Sequence, residues 1–263
     1  MKILVCIKQV PNMEGRFVPN AAGTWFEEGG LAFRMNDYDE FAVEEAVRIK
    51  ERLGGEPEVT VLSIGPDRVV ETIRKAMAMG CDRGVHIRDD GAAERDPWQI
   101  ASMIAGYART GAFDLVFTGM QSLDRGSAQV GVFVAELLGL SCATTAVGFS
   151  LDGSTVTVER ELEGGSRAIV RLRLPALVTC QLGLNTPRYP TLPNILKAKR
   201  KELLVIPAEE IGLEAQLAST TEFSQHERSA SCMVIEGEID ELADRILDVL
   251  NERTVVLRRG GGR

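Results

Sequence analysis

Histidine and cysteine are scarce and scattered in this 263-residue sequence. The two histidines, His86 and His226, stand far apart, and neither falls in an HExxH or HxxxH pattern, so a histidine metal site is not expected. The five cysteines, Cys6, Cys81, Cys142, Cys180 and Cys232, are odd in number and form no CxxC pair. That argues against a disulfide framework and against a cysteine-ligated zinc or iron–sulfur centre. No apolar run approaches membrane-spanning length, so direct membrane insertion is not expected. Residues 3–7 (ILVCI) are too short for a signal-peptide core and run into Lys8, which makes the cytoplasm the default location. A net charge of −8 with no basic stripe argues against a nucleic-acid partner. The dinucleotide GxGxxG and the P-loop GxxxxGK[ST] are both missing. So are a GxSxG elbow and any paired-carboxylate signature, and no catalytic residue is assigned.

What is present is a regular alternation of short apolar runs and amphipathic stretches. Residues 3–7, 59–64, 84–87 and 114–118 are the β-branched, continuously apolar runs of buried parallel strands. Between them lie predicted helices at 38–52, 68–79, 97–111 and 127–138. Asn36 and Asp37 look like caps of the first, and Pro97 sits at the first position of the third. Residues 11–32, rich in Pro, Gly and Asn, form a long irregular stretch of the kind that is often functional. Beyond Cys142 the texture changes: residues 143–149, 155–161, 167–173 and 176–180 are strand-like, with a hairpin signal at Gly164-Gly165. The expectation is an α/β fold, a mainly parallel sheet with helices on both faces and an antiparallel addition. Residues 182–203 read as a proline-punctuated loop, followed by a strand at 203–206. Residues 207–231 are polar, and 239–250 form an amphipathic helix before a flexible Gly260-Gly261-Gly262 end. This gives a nucleotide-binding domain over residues 1–206 and a C-terminal arm over 207–263. The arm's helix either packs on a partner chain or docks back on its own sheet.

Ligands of parallel sheets bind beyond the carboxyl ends of the strands. Three segments fall there: residues 8–12, Ile64-Gly65-Pro66, and 119–130. In the third, Gly119 permits close approach of backbone to ligand, and Gly126-Ser127-Ala128 places small residues where a helix begins. Amides at that helix start, with the Ser127 hydroxyl, can hold a phosphate, and Asp124 and Gln121 can bond a ribose or base. An ordinary strand–turn–helix connection remains the alternative. Lys197, Lys199, Arg200 and Lys201 form a basic cluster that is either a solvated segment or a docking site.

Five stretches taken in order resemble the beta subunit of electron-transfer flavoproteins: KILVCIKQV at 2–10, MNDYDEFAVEEAVRIK at 35–50, ETIRKAMAMGCDRGVH at 71–86, DLVFTGMQSLDRGSAQ at 114–129 and LNTPRYPTLPNILKAK at 184–199. The resemblance covers nearly the whole chain. It implies a Rossmann-like sheet of the adenine nucleotide alpha-hydrolase-like kind. It also implies a heterodimer with an alpha subunit that holds a redox-active FAD. The beta subunit's own nucleotide would be AMP, or a second FAD in electron-bifurcating relatives that oxidise NADH. Carried over by position, the nucleotide contacts would be Cys6, Asn36, Asp37, Tyr38, Asp39, Ile64, Gly119, Met120, Gln121, Ser122, Leu123, Asp124, Arg125, Gly126, Ser127, Ala128, Gln129 and Val130. Tyr38 matches a position where an aromatic ring approaches the alpha-subunit flavin, and Met13 stands where many relatives carry tyrosine. Leu192, Pro193, Asn194, Ile195, Lys197 and Lys199 match a recognition loop that docks on acyl-CoA dehydrogenases, from which electrons pass to a quinone-linked oxidoreductase. The Ala128-Gln129-Val130-Gly131 ending and residues 233–237 are more similar to the two-FAD branch. Residues 192–197 are more similar to the AMP branch. A stand-alone adenine-nucleotide-binding module is the reading that needs no alpha partner.

Overall fold

The computed structural model describes residues 1–224 and 233–254. His226, Cys232 and Gly260-Gly261-Gly262 lie outside the described residues. The chain divides into two units, Met1–Phe223 and Ser224–Arg263.

The first unit is built on a nine-stranded sheet. Its strands are β1 (Lys2–Cys6), β4 (Glu58–Gly65), β5 (Arg83–Arg88), β6 (Leu115–Gly119), β7 (Ser141–Asp152), β8 (Thr155–Glu161), β9 (Arg167–Arg173), β10 (Ala176–Cys180) and β11 (Leu203–Pro207). They lie in the order β11-β5-β4-β1-β6-β10-β7-β8-β9. Every pairing from β11 to β7 is parallel, and β7-β8-β9 is an antiparallel meander. A two-stranded antiparallel ribbon, β2 (Gln9–Pro11) with β3 (Phe33–Met35), brackets the long segment before the first helix.

Alternation along the strands supplies two cores. Ile3 and Val5 face α1 (Asp37–Arg52) and α2 (Val69–Met79), packing with Ala42, Val43, Ala46 and Ile73. Leu4 and Cys6 point to the other face, against Ala101 and Ile104 of α3 (Pro97–Gly111) and Val134 of α4 (Val130–Leu138). Period-two side-chain alternation thus lets one short strand serve both layers. Asp96 caps α3 by accepting the Gln99 amide at 2.8 Å, with Pro97 at the first turn.

Four expectations need correction. The 176–180 run does not join the antiparallel addition: β10 lies parallel between β6 and β7, and all five of its residues are buried. Only a strand covered on both faces tolerates that run, which is why it sits inside the parallel block. The 182–203 loop contains a helix, α5 (Leu192–Ala198), because Pro193 falls in its first turn, where a missing amide hydrogen costs nothing. The helix expected from residue 127 starts at Val130, because Ala128 is left-handed with φ 53°. Asn36 occupies the N-cap of α1, but its side chain makes no capping bond and reaches instead to the loop after β6.

Residues 207–223 continue the first unit. Ala208, which opens the short α6 (Ala208–Ile211), is buried, and the amides of Leu217 and Ala218 donate to Asp96 Oδ2 at 2.6 and 2.9 Å. The second unit contains α7 (Ile239–Arg253), which leaves Ile239, Ile246 and Leu247 exposed. Among the described residues no helix is long and apolar enough to cross a membrane.

Candidate nucleotide cleft

β1 is flanked by β4 on one side and β6 on the other, so the chain order reverses at β1 and the strand ends open a crevice there. A cleft of about 170 Å³ occupies that position. Cys6, Ile64 and Gly119 line it from the ends of β1, β4 and β6. Asn36 and Asp39 line it from the start of α1. Met120, Gln121, Ser122, Asp124, Arg125, Ser127, Ala128, Gln129 and Val130 line it from the loop that leads into α4.

Four of the residues expected at the site do not line the cleft. Asp37 pairs with Arg34. The Tyr38 hydroxyl accepts from Gln121 Nε2 at 3.2 Å. The Leu123 amide donates to Asn36 Oδ1 at 3.0 Å, and the Gly126 amide donates to Ser122 O at 2.8 Å. Gly126, at φ 62°, has open space where a side chain would stand.

Buried carboxylates hold the floor together. Asp39 accepts the Lys8 amide at 2.6 Å on one oxygen and the Gly119 amide at 3.1 Å on the other. It therefore ties the ends of β1 and β6 to α1. Burial pushes its carboxyl up to about 7, against the pull of those amides. Burial, with the nearby Asp39 charge, also pushes the Cys6 thiol far up, so Cys6 stays a neutral thiol. Lys8 Nζ reaches both oxygens of Asp124, at 2.7 and 2.6 Å. His86, fully buried in β5, meets Gly65 O with Nε2 at 2.7 Å and so steadies the end of β4.

The segment between β2 and β3, with the first residue of β3, supplies residues that sequence reasoning did not assign to the site. Trp25, Phe26 and Phe33 line the cleft, as does Arg68. Arg125 stacks over Trp25 at 4.3 Å and bonds Ala93 O. Arg68 lies 4.2 Å over the Phe33 ring and pairs with Glu28 at 2.9 Å. Adjacent aromatic residues inside a Pro- and Gly-rich segment were the available signal, since such rings need a surface to cover.

The arrangement fits an adenosine nucleotide. The first amides of a helix have no intrahelical acceptor, and at α4 the N-cap Gln129 makes no capping bond either. With the left-handed turn at Ala128 and the Ser127 hydroxyl they could hold an anion. Strand ends and apolar walls at Ile64 and Val130 offer a flat slot beside it.

The residues expected to dock a partner lie outside the cleft and come together on α5 and at its C-cap, Lys199. Leu192, Pro193, Asn194, Ile195, Lys197 and Lys199 are all exposed, Leu192 at 70%.

Fold and cleft define a class, the parallel-sheet α/β proteins with a ligand crevice at the point where strand order reverses. Comparison with known proteins narrows it. The family described as "Electron transfer flavoprotein domain" matches residues 24–211. "Electron transfer flavoprotein subunit beta" of Methylophilus methylotrophus is 35% identical over 260 residues, covering 96% of this chain and 98% of that protein. The Bacillus subtilis protein of that name is 34% identical over 263 residues, covering 98% and 100%. The Mus musculus one is 41% identical over 218 residues, covering 81% and 84%. The chain belongs to the electron transfer flavoprotein family, as a beta subunit.

Proposed function

We propose that this chain binds AMP in the cleft and pairs with an electron transfer flavoprotein alpha subunit, helping to hold that subunit's FAD. Electrons would pass from acyl-CoA dehydrogenases to a quinone-linked oxidoreductase, in the cytoplasm. The observation that carries the reading is the cleft at the ends of β1, β4 and β6, with the α4 amides and Ser127 facing it. FAD supplies the redox chemistry when bound, and this chain's residues bind and orient. Ser127 and the amides that follow it would hold the phosphate. Backbone at Cys6 and Ile64 would meet the adenosine. The exposed apolar row on α5 and the lysines beside it would dock the dehydrogenase. Of the arm expected over residues 207–263, the second unit from Ser224 would pack on the alpha subunit through α7, whose apolar residues are exposed.

A second reading, a bifurcating subunit that holds a second FAD here and oxidises NADH, draws support from the far end of the cleft. Trp25 and Phe33 give it aromatic walls, and Arg125 stands there bonded to a carbonyl rather than a carboxylate. A longer, more anionic ligand would use both features. Mass analysis of the nucleotides released from the denatured heterodimer separates the readings. One FAD with AMP supports the first, two FAD the second, and no adenine nucleotide beyond one FAD defeats both. A chain that is monomeric and nucleotide-loaded without an alpha subunit would instead indicate a stand-alone adenine-nucleotide module.

A further inference from the structure

Helix α5 carries exposed Leu192 and Leu196, at 70% and 56%, and Tyr189 just before it is 92% exposed. An apolar row so open to water would ordinarily be free to collapse or to move. Here both ends of the segment are fastened to the two helices beneath. On the near side, Arg188 spans Glu44 and Glu51 of α1. Its Nε and Nη2 reach Glu44 at 2.8 and 3.1 Å, and its Nη1 and Nη2 reach Glu51 at 2.5 and 2.9 Å. The Arg188 amide adds a bond to Glu44 at 3.1 Å. The Glu44 side chain is only 4% exposed, so its charge depends on Arg188 and on Arg48 one turn away. On the far side, Arg74 of α2 donates to Ala198 O at 2.7 Å and to Lys201 O at 2.8 Å, capping the carbonyl end of α5. Lys201 returns the connection by donating to Met77 O and Cys81 O at the end of α2.

A planar guanidinium bonded to two carboxylates fixes direction as well as distance, which a lysine in the same place would not do. We infer that Arg188 and Arg74 are positioning residues that hold α5 as a preorganised anchor, so that its exposed leucines meet a redox partner without first being ordered. This rests on the reading of α5 as the docking element. Ordering a side chain or segment on binding weakens association, and a clamp that orders it beforehand removes that cost. The clamp therefore acts on the encounter, while the nucleotide cleft lies elsewhere on the sheet.

The test uses the intact heterodimer as electron acceptor from a reduced acyl-CoA dehydrogenase, with KM and kcat measured separately and nucleotide content assayed in each preparation. Arg188→Met and Leu192→Ala should each raise KM for the flavoprotein, by roughly fivefold to tenfold, with kcat and bound nucleotide unchanged. The double variant should be little worse than the worse single one, because both act on one contact. Glu51→Gln, at a side chain 57% exposed, removes half the clamp without burying an unpaired charge and should give a smaller rise in KM. It keeps the test alive if Arg188→Met does not fold. If Leu192→Ala raises KM while the Arg188 and Glu51 variants leave it unchanged, the clamp is overturned and the docking reading stands. If Leu192→Ala itself leaves transfer unchanged, the docking reading fails and the inference with it.

Discussion

Gly119 donates its amide to Asp39 Oδ1 at 3.1 Å, and a Cβ on Gly119 would lie 2.2 Å from that same oxygen. The Cβ of Tyr38 would be 2.8 Å away. The glycine is therefore required by the seat of α1 on the end of β6 and not by its own torsion angles. Gly119→Ala should force the two elements apart, costing about 1–3 kcal/mol for overpacking. It should also loosen the loop that lines the cleft. Thermal unfolding of the heterodimer together with its nucleotide content checks this. Wild-type values for both would mean that the close approach carries no structural weight.

Asp39 also makes stability depend on pH. Its ordinary value is 3.8, and burial pushes it up to about 7 in the folded chain. The folded state thus holds the proton more tightly than the unfolded chain does. Stability from this group is full below the unfolded value and is lost as pH rises toward the folded one. Asp39→Asn does not titrate, so wild-type stability relative to this variant should fall between about pH 4 and about pH 7, by at most about 1.4 kcal/mol per unit. Denaturant titrations of both proteins across that window measure the difference. Wild-type stability that instead rises with pH relative to Asp39→Asn would mean the two amide bonds outweigh burial.

The parts of this molecule that were legible in the sequence are those with a local cause. Apolar runs at 3–7 and 59–64 marked β1 and β4, and Asp96-Pro97 marked the start of α3. The bounds of β8, β9 and β10 coincide with the strand-like runs read from the sequence. The place of β10 in the sheet was not legible, because burial on two faces gives the same residue pattern whatever the neighbours. Nor was the link that Asp39 makes between β1, β6 and α1. Asp39 meets Lys8 across 31 positions and Gly119 across 80, and only the closed sheet brings those amides together. Trp25 and Phe33 were missed for a related reason: the residues they cover come from elements far along the chain.

Ala128 holds φ 53° without being a glycine. An L-residue in that region costs about 1–2 kcal/mol. Ala128→Gly relieves the strain but adds freedom to the unfolded chain, worth about 0.4–1 kcal/mol in the other direction. The net should be a stabilisation of about 0–1.6 kcal/mol. Because the proposed reading holds the phosphate by backbone amides, nucleotide content should not change. Calorimetry on the variant decides it: a clear loss of stability would show that the Ala128 methyl group makes a contact that outweighs its backbone strain.

The Lys8–Asp124 pair predicts an asymmetry between its two halves. The Asp124 side chain is 5% exposed, whereas that of Lys8 is 41% exposed. Lys8→Met therefore strands a carboxylate in a place that water scarcely reaches. Asp124→Asn leaves an ammonium that still has an amide oxygen and solvent. Losing one partner of a fully buried pair costs about 3–5 kcal/mol. Discounted for the exposure of Lys8, Lys8→Met should cost about 2–3 kcal/mol. Asp124→Asn should cost about 1 kcal/mol, the worth of a weakened hydrogen bond. Chemical denaturation of the two variants side by side tests the order. Were Asp124→Asn the more damaging of the two, the carboxylate would have to be serving something other than Lys8, and a ligand hydroxyl in the cleft would be the first candidate.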